Sequence, residues 1–301
     1  MSLIDNDLLS IQEARILLEH ANESVEVLEG LPASLVDDFL HHLGERLLPR
    51  AEEYAEASYA ESDYCSPYDE AALTKWVLTD LMADVCAEAP VQKIIRSRRG
   101  SAEVCLSKGV VGSLLPEWLA VPTMLSQLFM AVRSKSPIVF SASSRIHSTC
   151  ERVMNDILEI ADFCHYPAEA IGFLSVFCAR SCVHVVIDSR EEHSSRAVDG
   201  AGKDVYHATL GNNPVFVEST ADLASCADEV VLGKSFCCGM LPGAEQSVVV
   251  ERDVDERFQE ELRQRGCHFL TDEQADRLVG TLFAKDGTPY RELIAKSAFD
   301  L

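Results

Sequence analysis

Basic residues are scarce in this chain of 301 residues, with 26 Lys plus Arg against 49 Asp plus Glu, a formal net charge of −23 at pH 7. A chain so poor in Lys and Arg neutralises few phosphates, which argues against nucleic acid and anionic membrane as partners. The acidity is read as a device for solubility. No apolar run is long enough to span a bilayer. The opening Met1-Ser2-Leu3-Ile4-Asp5-Asn6-Asp7 is acidic where a signal peptide carries basic residues. The 11 cysteines are odd in number and lack the spacing of a disulfide framework. They read as thiols of a protein in a reducing cytoplasm. Cys105, Cys178 and Cys182 lie in apolar segments, where a cysteine acts as a small hydrophobe. There is no GxGxxG fingerprint, no internal repeat and no low-complexity segment.

What is present is an ordinary globular composition, 47% hydrophobic and 25% charged, at a length that suggests two domains. The first third reads as helices. Leu8, Ile11, Leu17, Leu18, Ala21 and Val25 recur near a 3.6 period. A second helix after Pro32 carries Leu35, Phe39, Leu40, Leu43, Leu47, Leu48 and Tyr54. A third carries Leu73, Trp76, Val77, Leu81 and Val85. After Pro90, short apolar runs alternate with helical segments. Strands are expected at Val104–Leu106, Gly109–Leu115, Ile138–Ser141, Gly172–Val176, Val183–Ile187, Val215–Val217 and Ser247–Glu251. Helices are expected at Pro122–Ser134, Ile146–Phe163, Ala221–Leu232, Val254–Arg265 and Asp272–Phe283. Strands alternating with helices predict an α/β fold, a parallel sheet covered on both faces.

Few residues stand out for chemistry. Ser141, Ser143 and Ser144 close a strand and precede a helix, where hydroxyls and backbone N–H groups can hold phosphate, or simply cap the helix. Cys237 and Cys238 form a doublet in the loop Gly233–Gln246. His41-His42 is an adjacent pair on an acidic helix, so its two rings point apart. Cys164-His165 has no partner at zinc-ligand spacing, and no metal is expected.

The loop Gly-Lys-Ser-Phe-Cys-Cys-Gly-Met-Leu-Pro-Gly-Ala-Glu-Gln, Gly233–Gln246, resembles the nucleophile loop of the CoA-acylating aldehyde dehydrogenases. Further segments are similar in order and spacing: Met1–Arg15, Gly109-Val110-Val111-Gly112, Leu115-Pro116, Ile138-Val139-Phe140-Ser141, Gly211-Asn212-Asn213-Pro214, Ser247–Glu251, His268-Phe269-Leu270 and Lys296-Ser297-Ala298. The resemblance implies a Rossmann-like NAD-binding domain with N-terminal helices over 1–225 and a partial catalytic domain over 226–301. It also implies a reaction in which a thiolate attacks an aldehyde, hydride passes to NAD or NADP, and CoA takes the acyl group.

The departures fall on the residues that such chemistry needs. Pro242 stands where the family has its cysteine, and Leu119 where an Asn supplies an oxyanion donor. Asp188-Ser189-Arg190-Glu191-Glu192 replaces a Thr-Gly-Gly turn that lets the backbone approach the nucleotide. The link between Phe173 and Val183 is shorter than in the family, and the resemblance reaches Leu301 with the rest of the family's catalytic domain and its last oligomerising strand unmatched. The first expectation is therefore an oxidoreductase homologue with impaired catalysis, a homo-oligomer or the companion of an intact paralogue. The alternatives are an active enzyme using Cys238 or Cys237, and a nucleotide- or CoA-binding or assembly module without chemistry. Ser141, Ser143, Ser144, Arg190 and Gly211 are the cofactor-contact candidates.

Overall fold

The computed structural model describes residues 6–88, 90–91, 96–98, 100–103, 106–174, 182–190, 203–207 and 211–301. The expectations at Val104, Cys105, Val176, Cys178, Glu191 and Glu192 fall outside these residues. Chain contacts divide the protein into two compact units, Met1–Asp63 with Glu70–Ala208, and Tyr64–Asp69 with Thr209–Leu301. The later unit thus includes a short segment from the helical third.

The first unit is built on a five-stranded sheet. Its strands are β3 (Val110–Leu114), β4 (Ile138–Ser141), β5 (Ile171–Leu174), β6 (Val183–Asp188) and β7 (Asp204–His207). They are ordered β5-β4-β3-β6-β7, and every pairing is parallel. This is the order of a doubly wound nucleotide-binding sheet, with its switch point between β3 and β6. The central strands read as continuous apolar runs because both faces are covered; every residue of β3 and β4 is buried.

Alternate residues serve opposite layers, as the two-residue period of a strand requires. Val110, Leu114, Val139, Val183 and Val186 pack on Ala14, Leu18 and Ala21 of helix α1 (Asn6–Gly30). Val111, Ile138, Phe140 and Val185 face the larger core. That core is closed by α2 (Ala33–Leu47), α3 (Ala51–Ser62), α6 (Ala120–Arg133) and α7 (His147–Phe163). Phe39 stacks on Tyr166 within it, with ring centroids 4.3 Å apart, and Tyr54 donates to Asp156 at 2.7 Å.

Four differences from the sequence reading have local causes. The helix expected to run from Leu35 to Tyr54 breaks into α2 and α3 at the 3-10 turn Leu48-Pro49-Arg50, because proline has no N–H and its ring blocks the preceding turn. The third helix runs as α4 (Pro67–Trp76), a π turn at Val77–Leu81 and α5 (Met82–Ala87), and Trp76 is 48% exposed rather than buried. A small antiparallel hairpin, β1 (Arg96–Arg98) with β2 (Ser101–Glu103), turns through Gly100 at φ +84° and has no counterpart in the sequence reading. Strand β7 was not anticipated at all; it is an edge strand without an apolar pattern.

The second unit holds a βαβ element and two further helices. Strands β8 (Asn213–Val217) and β9 (Glu245–Val250) pair in parallel around helix α8 (Leu223–Ser235). Val215, Val217, Val248 and Val250 pack against Leu223, Ala227, Val254 and Phe258, the last two from α9 (Arg252–Gln264). Helix α8 starts on Asp222, whose carboxylate accepts from the Ala224 and Ser225 N–H groups. Helix α10 (Asp272–Leu282) starts on a reciprocal Thr271–Gln274 capping box. Among the described residues no helix is long and apolar enough to cross a membrane.

Candidate functional site

In a parallel sheet of this order, ligands bind beyond the carboxyl ends of the strands, near the switch point. Leu119 follows β3; Ser141, Ser143 and Ser144 end and follow β4; Arg190 follows β6. The fold therefore brings these positions to one edge of one sheet. Gly211, Cys237 and Cys238 belong to the second unit.

The edge is filled by the chain's own groups. Leu119 is 4% exposed and holds φ +53° at the start of α6. Its carbonyl accepts from the Thr123 N–H at 3.1 Å, and its side chain offers no donor. Arg190 is turned back on its own strand. Its Nε donates to Asp188 Oδ1 and its Nη2 to Asp188 Oδ2, both at 2.9 Å. Burial pushes the Asp188 carboxyl up, but the Arg190 donors, with His207 nearby, outweigh it and hold the group below the usual carboxylate range. Beside this pair, Gln127 accepts from Ser113 at 2.5 Å and donates to Ser189 at 3.1 Å.

The helix N-terminus after β4 is filled in the same manner. Ser143 is half-buried, Ser144 is exposed, and the Ser143 Oγ accepts from the Arg145 N–H at 3.3 Å within its own turn. The first N–H groups of α7 point at a carboxylate. Glu61 of α3 accepts from Ser148 N at 2.9 Å, Thr149 N at 2.8 Å and Thr149 Oγ1 at 2.7 Å. Burial alone would raise its pKa, yet these donors outweigh burial and lower it. A helix N-terminus attracts one anion, and here Glu61 is that anion. These groups do not fit a dinucleotide phosphate at α7. Sequence reasoning missed Glu61 because nothing local distinguishes it in an acidic helix.

In the second unit, α8 ends in the tight turn Phe236–Gly239. Cys237, Cys238 and Gly239 take φ of +48°, +55° and +70° in succession. Only glycine adopts that region without cost; for the two cysteines it costs about 1–2 kcal/mol each. The turn is held by its surroundings. Asp69 accepts from the Cys237 N–H at 2.9 Å. Lys234 donates to Gln246 at 2.7 Å, and Gln246 donates to the Gly239 carbonyl at 3.3 Å. Asn213 donates to the carbonyls of Pro242 at 2.6 Å and Ala244 at 3.1 Å. Gly211 lies against Asn213, where an added Cβ would stand 2.6 Å from its Oδ1.

Neither thiol in this loop is activated as a nucleophile at neutral pH. Cys237 is fully buried. The Cys238 thiol is pushed up, first by burial and then by Cys65, Asp69 and Asp300, against a smaller opposing effect of Lys296. The thiolate is the reactive form, so a thiol shifted this way is mostly protonated at neutral pH. Among the described residues no three His, Cys, Asp or Glu side chains come together to hold a metal.

The sheet order and its filled switch point define a doubly wound α/β protein. Comparison with known proteins makes this more specific. A probable aldehyde dehydrogenase from Listeria monocytogenes EGD-e superposes with a TM-score of 0.91 at 23% identity, over 98% of this chain and 67% of that one. The propionaldehyde dehydrogenase of Rhodopseudomonas palustris, solved with bound CoA and an acylated cysteine, gives 0.83 at 17% identity over 95% of this chain and 65% of that one. In sequence, the succinate-semialdehyde dehydrogenase (acetylating) of Clostridium kluyveri is 22% identical over 298 residues, 96% of this chain and 65% of that protein. The chain spans 19–24% of the length of the aldehyde-alcohol dehydrogenases it also matches. No model of a known protein family matches it. Its relatives and structural neighbours include acetylating and CoA-acylating aldehyde dehydrogenases, and its fold is theirs.

Proposed function

We propose that this chain is a homologue of the NAD-dependent CoA-acylating aldehyde dehydrogenases that does not carry out acyl transfer by the route of its relatives, and that serves as a binding or assembly partner. The observation that carries this reading is the loop after α8. Pro242 occupies the position that resembles the relatives' cysteine, and it is a backbone acceptor for Asn213. The two thiols that remain are buried or held protonated. The filled N-terminus of α7 and the Asp188–Arg190 pair support the same reading, because both take up charge that a nucleotide would use. NAD or NADP and CoA are the ligands that a surviving family function would need. A homo-oligomer, or a complex with an intact paralogue, is the assembly this reading favours.

A second reading keeps the oxidoreductase activity and assigns the nucleophile to Cys238. In its favour, Cys238 is partly exposed and feels the Lys296 charge. The two readings separate in one assay: NADH formation by the reduced chain with acetaldehyde, NAD and CoA, run beside Cys238→Ala and Cys237→Ala. The proposed function predicts no turnover from any of the three. Turnover that disappears in Cys238→Ala alone would replace it with the second reading.

A further inference from the structure

The segment Tyr64–Asp69 lies far from the α8 loop in sequence but in the same compact unit. It meets the turn twice. Asp69 accepts from the Cys237 N–H, and the Cys65 Sγ lies 3.7 Å from the Cys237 carbonyl oxygen across 172 positions of sequence. A trans peptide puts that oxygen about 3 Å from the next Cα. The Cys65 sulfur is therefore within about 7 Å of the Cys238 Cα. A disulfide needs the two sulfurs about 2 Å apart, so a rotation of the Cys238 side chain and a movement of the turn toward Cys65 would complete the approach.

Exposure separates the roles of the thiols. Cys65 is 3% exposed and Cys237 is 0% exposed, whereas Cys238 is partly open to solvent. Cys65 shares the left-handed backbone of the doublet, at φ +58°. Strained conformations of this kind persist only where the surroundings over-determine them, and the segment carrying Cys65 and Asp69 is part of those surroundings.

We propose that Cys65 and Cys238 form a dithiol that closes reversibly to a disulfide by exchange with a low-molecular-weight disulfide of the glutathione class. The Cys238 thiolate attacks one sulfur of the small disulfide, breaks its S–S bond and releases one small thiol, leaving a mixed disulfide. The Cys65 thiolate then attacks the Cys238 sulfur and releases the second small thiol. Two protein thiols are oxidised, one small disulfide is reduced, and their two protons pass to the two released thiols. Cys238 reacts first because an oxidant reaches it, and Cys65 resolves because it stands beside the same turn. The groups facing Cys238 are Cys65, Asp69, Asp300 and Lys296; their net effect disfavours the thiolate, so the exchange quickens as pH rises.

The test uses the whole reduced chain, incubated with oxidised glutathione in mildly alkaline buffer and mapped by mass spectrometry without reduction. The expected result is a linked peptide pair carrying Cys65 and Cys238, lost on adding dithiothreitol. Cys65→Ser should stop at a single glutathione adduct on Cys238. A bridge between Cys237 and Cys238, a stable glutathione adduct on Cys238 of the unaltered chain, or unchanged thiols at both positions would overturn the proposal. Each of these is read on the unaltered protein, so the outcome does not depend on how the variant folds.

Discussion

Replacing Glu61 with Ala tests the central feature of the sheet's carboxyl edge. The Glu61 carboxylate accepts three hydrogen bonds at the start of α7, at 2.9, 2.8 and 2.7 Å. Losing a helix cap costs about 1 kcal/mol, and hydrogen bonds to a charged group contribute about 1.5–3 kcal/mol. The three bonds share one carboxylate and the group is partly exposed, so they do not add. The expected loss is about 2 kcal/mol, read as a lower urea midpoint by circular dichroism at pH 7. The sign of its pH dependence follows from the lowered pKa. The stabilisation is present above the unfolded carboxyl value near 4.5 and disappears as pH falls through the lower folded value. The gap between the two proteins should therefore close in acid. Glu61→Ala should also be stabilised by added phosphate, and the unaltered chain should not be, because its own carboxylate occupies the helix end. Equal midpoints at pH 7, or a gap that persists unchanged in strong acid, would refute the reasoning.

Two further predictions concern titratable groups whose pKa burial raises. Glu70 is 1% exposed, and its Oε1, the Ser58 Oγ and the Thr74 Oγ1 are buried without a hydrogen-bond partner. Burial raises its carboxyl from 4.5 to about 7, with the nearby Ser58 hydroxyl acting in the opposite direction. The unfolded chain ionises first, so the native state loses up to about 3 kcal/mol as pH rises from 4.5 to 7. Glu70→Gln should then be the more stable protein above pH 7, with the advantage gone below pH 4.5; denaturant midpoints across that range would show it, and a constant difference would count against it. Cys238 should react with iodoacetamide more slowly than a small free thiol at pH 7 and accelerate above pH 9, as its raised pKa requires. The alkylated site is identified by its loss in Cys238→Ser, and rapid labelling at neutral pH would remove the main support for an inactive loop.

The layers of this protein were legible in the sequence wherever burial imposes a pattern. Ile138–Ser141 is a strand with the limits its apolar run predicts, and the helices expected at Pro122–Ser134 and Ile146–Phe163 lie within about two residues of α6 and α7. A strand covered on both faces must be apolar throughout, and a helix must show its core face every third or fourth residue, so these elements announce themselves locally. The loop after α8 was legible for a different reason: its residue types, including the missing thiol at Pro242, are local chemistry. Strand β7 was hidden because an edge strand with exposed side chains needs no apolar code.

The contents of the sites were decided only by tertiary structure. Glu61 reaches Thr149 across 88 positions, and Cys65 reaches the Cys237 carbonyl across 172. Neither contact leaves a mark on the residues around it, since a glutamate in an acidic helix and a cysteine in a short connector look the same whatever they touch. The sequence by itself determined the α/β class and the absence of a thiol at position 242. Folding alone determined that a carboxylate fills the end of α7 and that a distant cysteine stands beside the doublet, because these depend on which surfaces the packed core brings together.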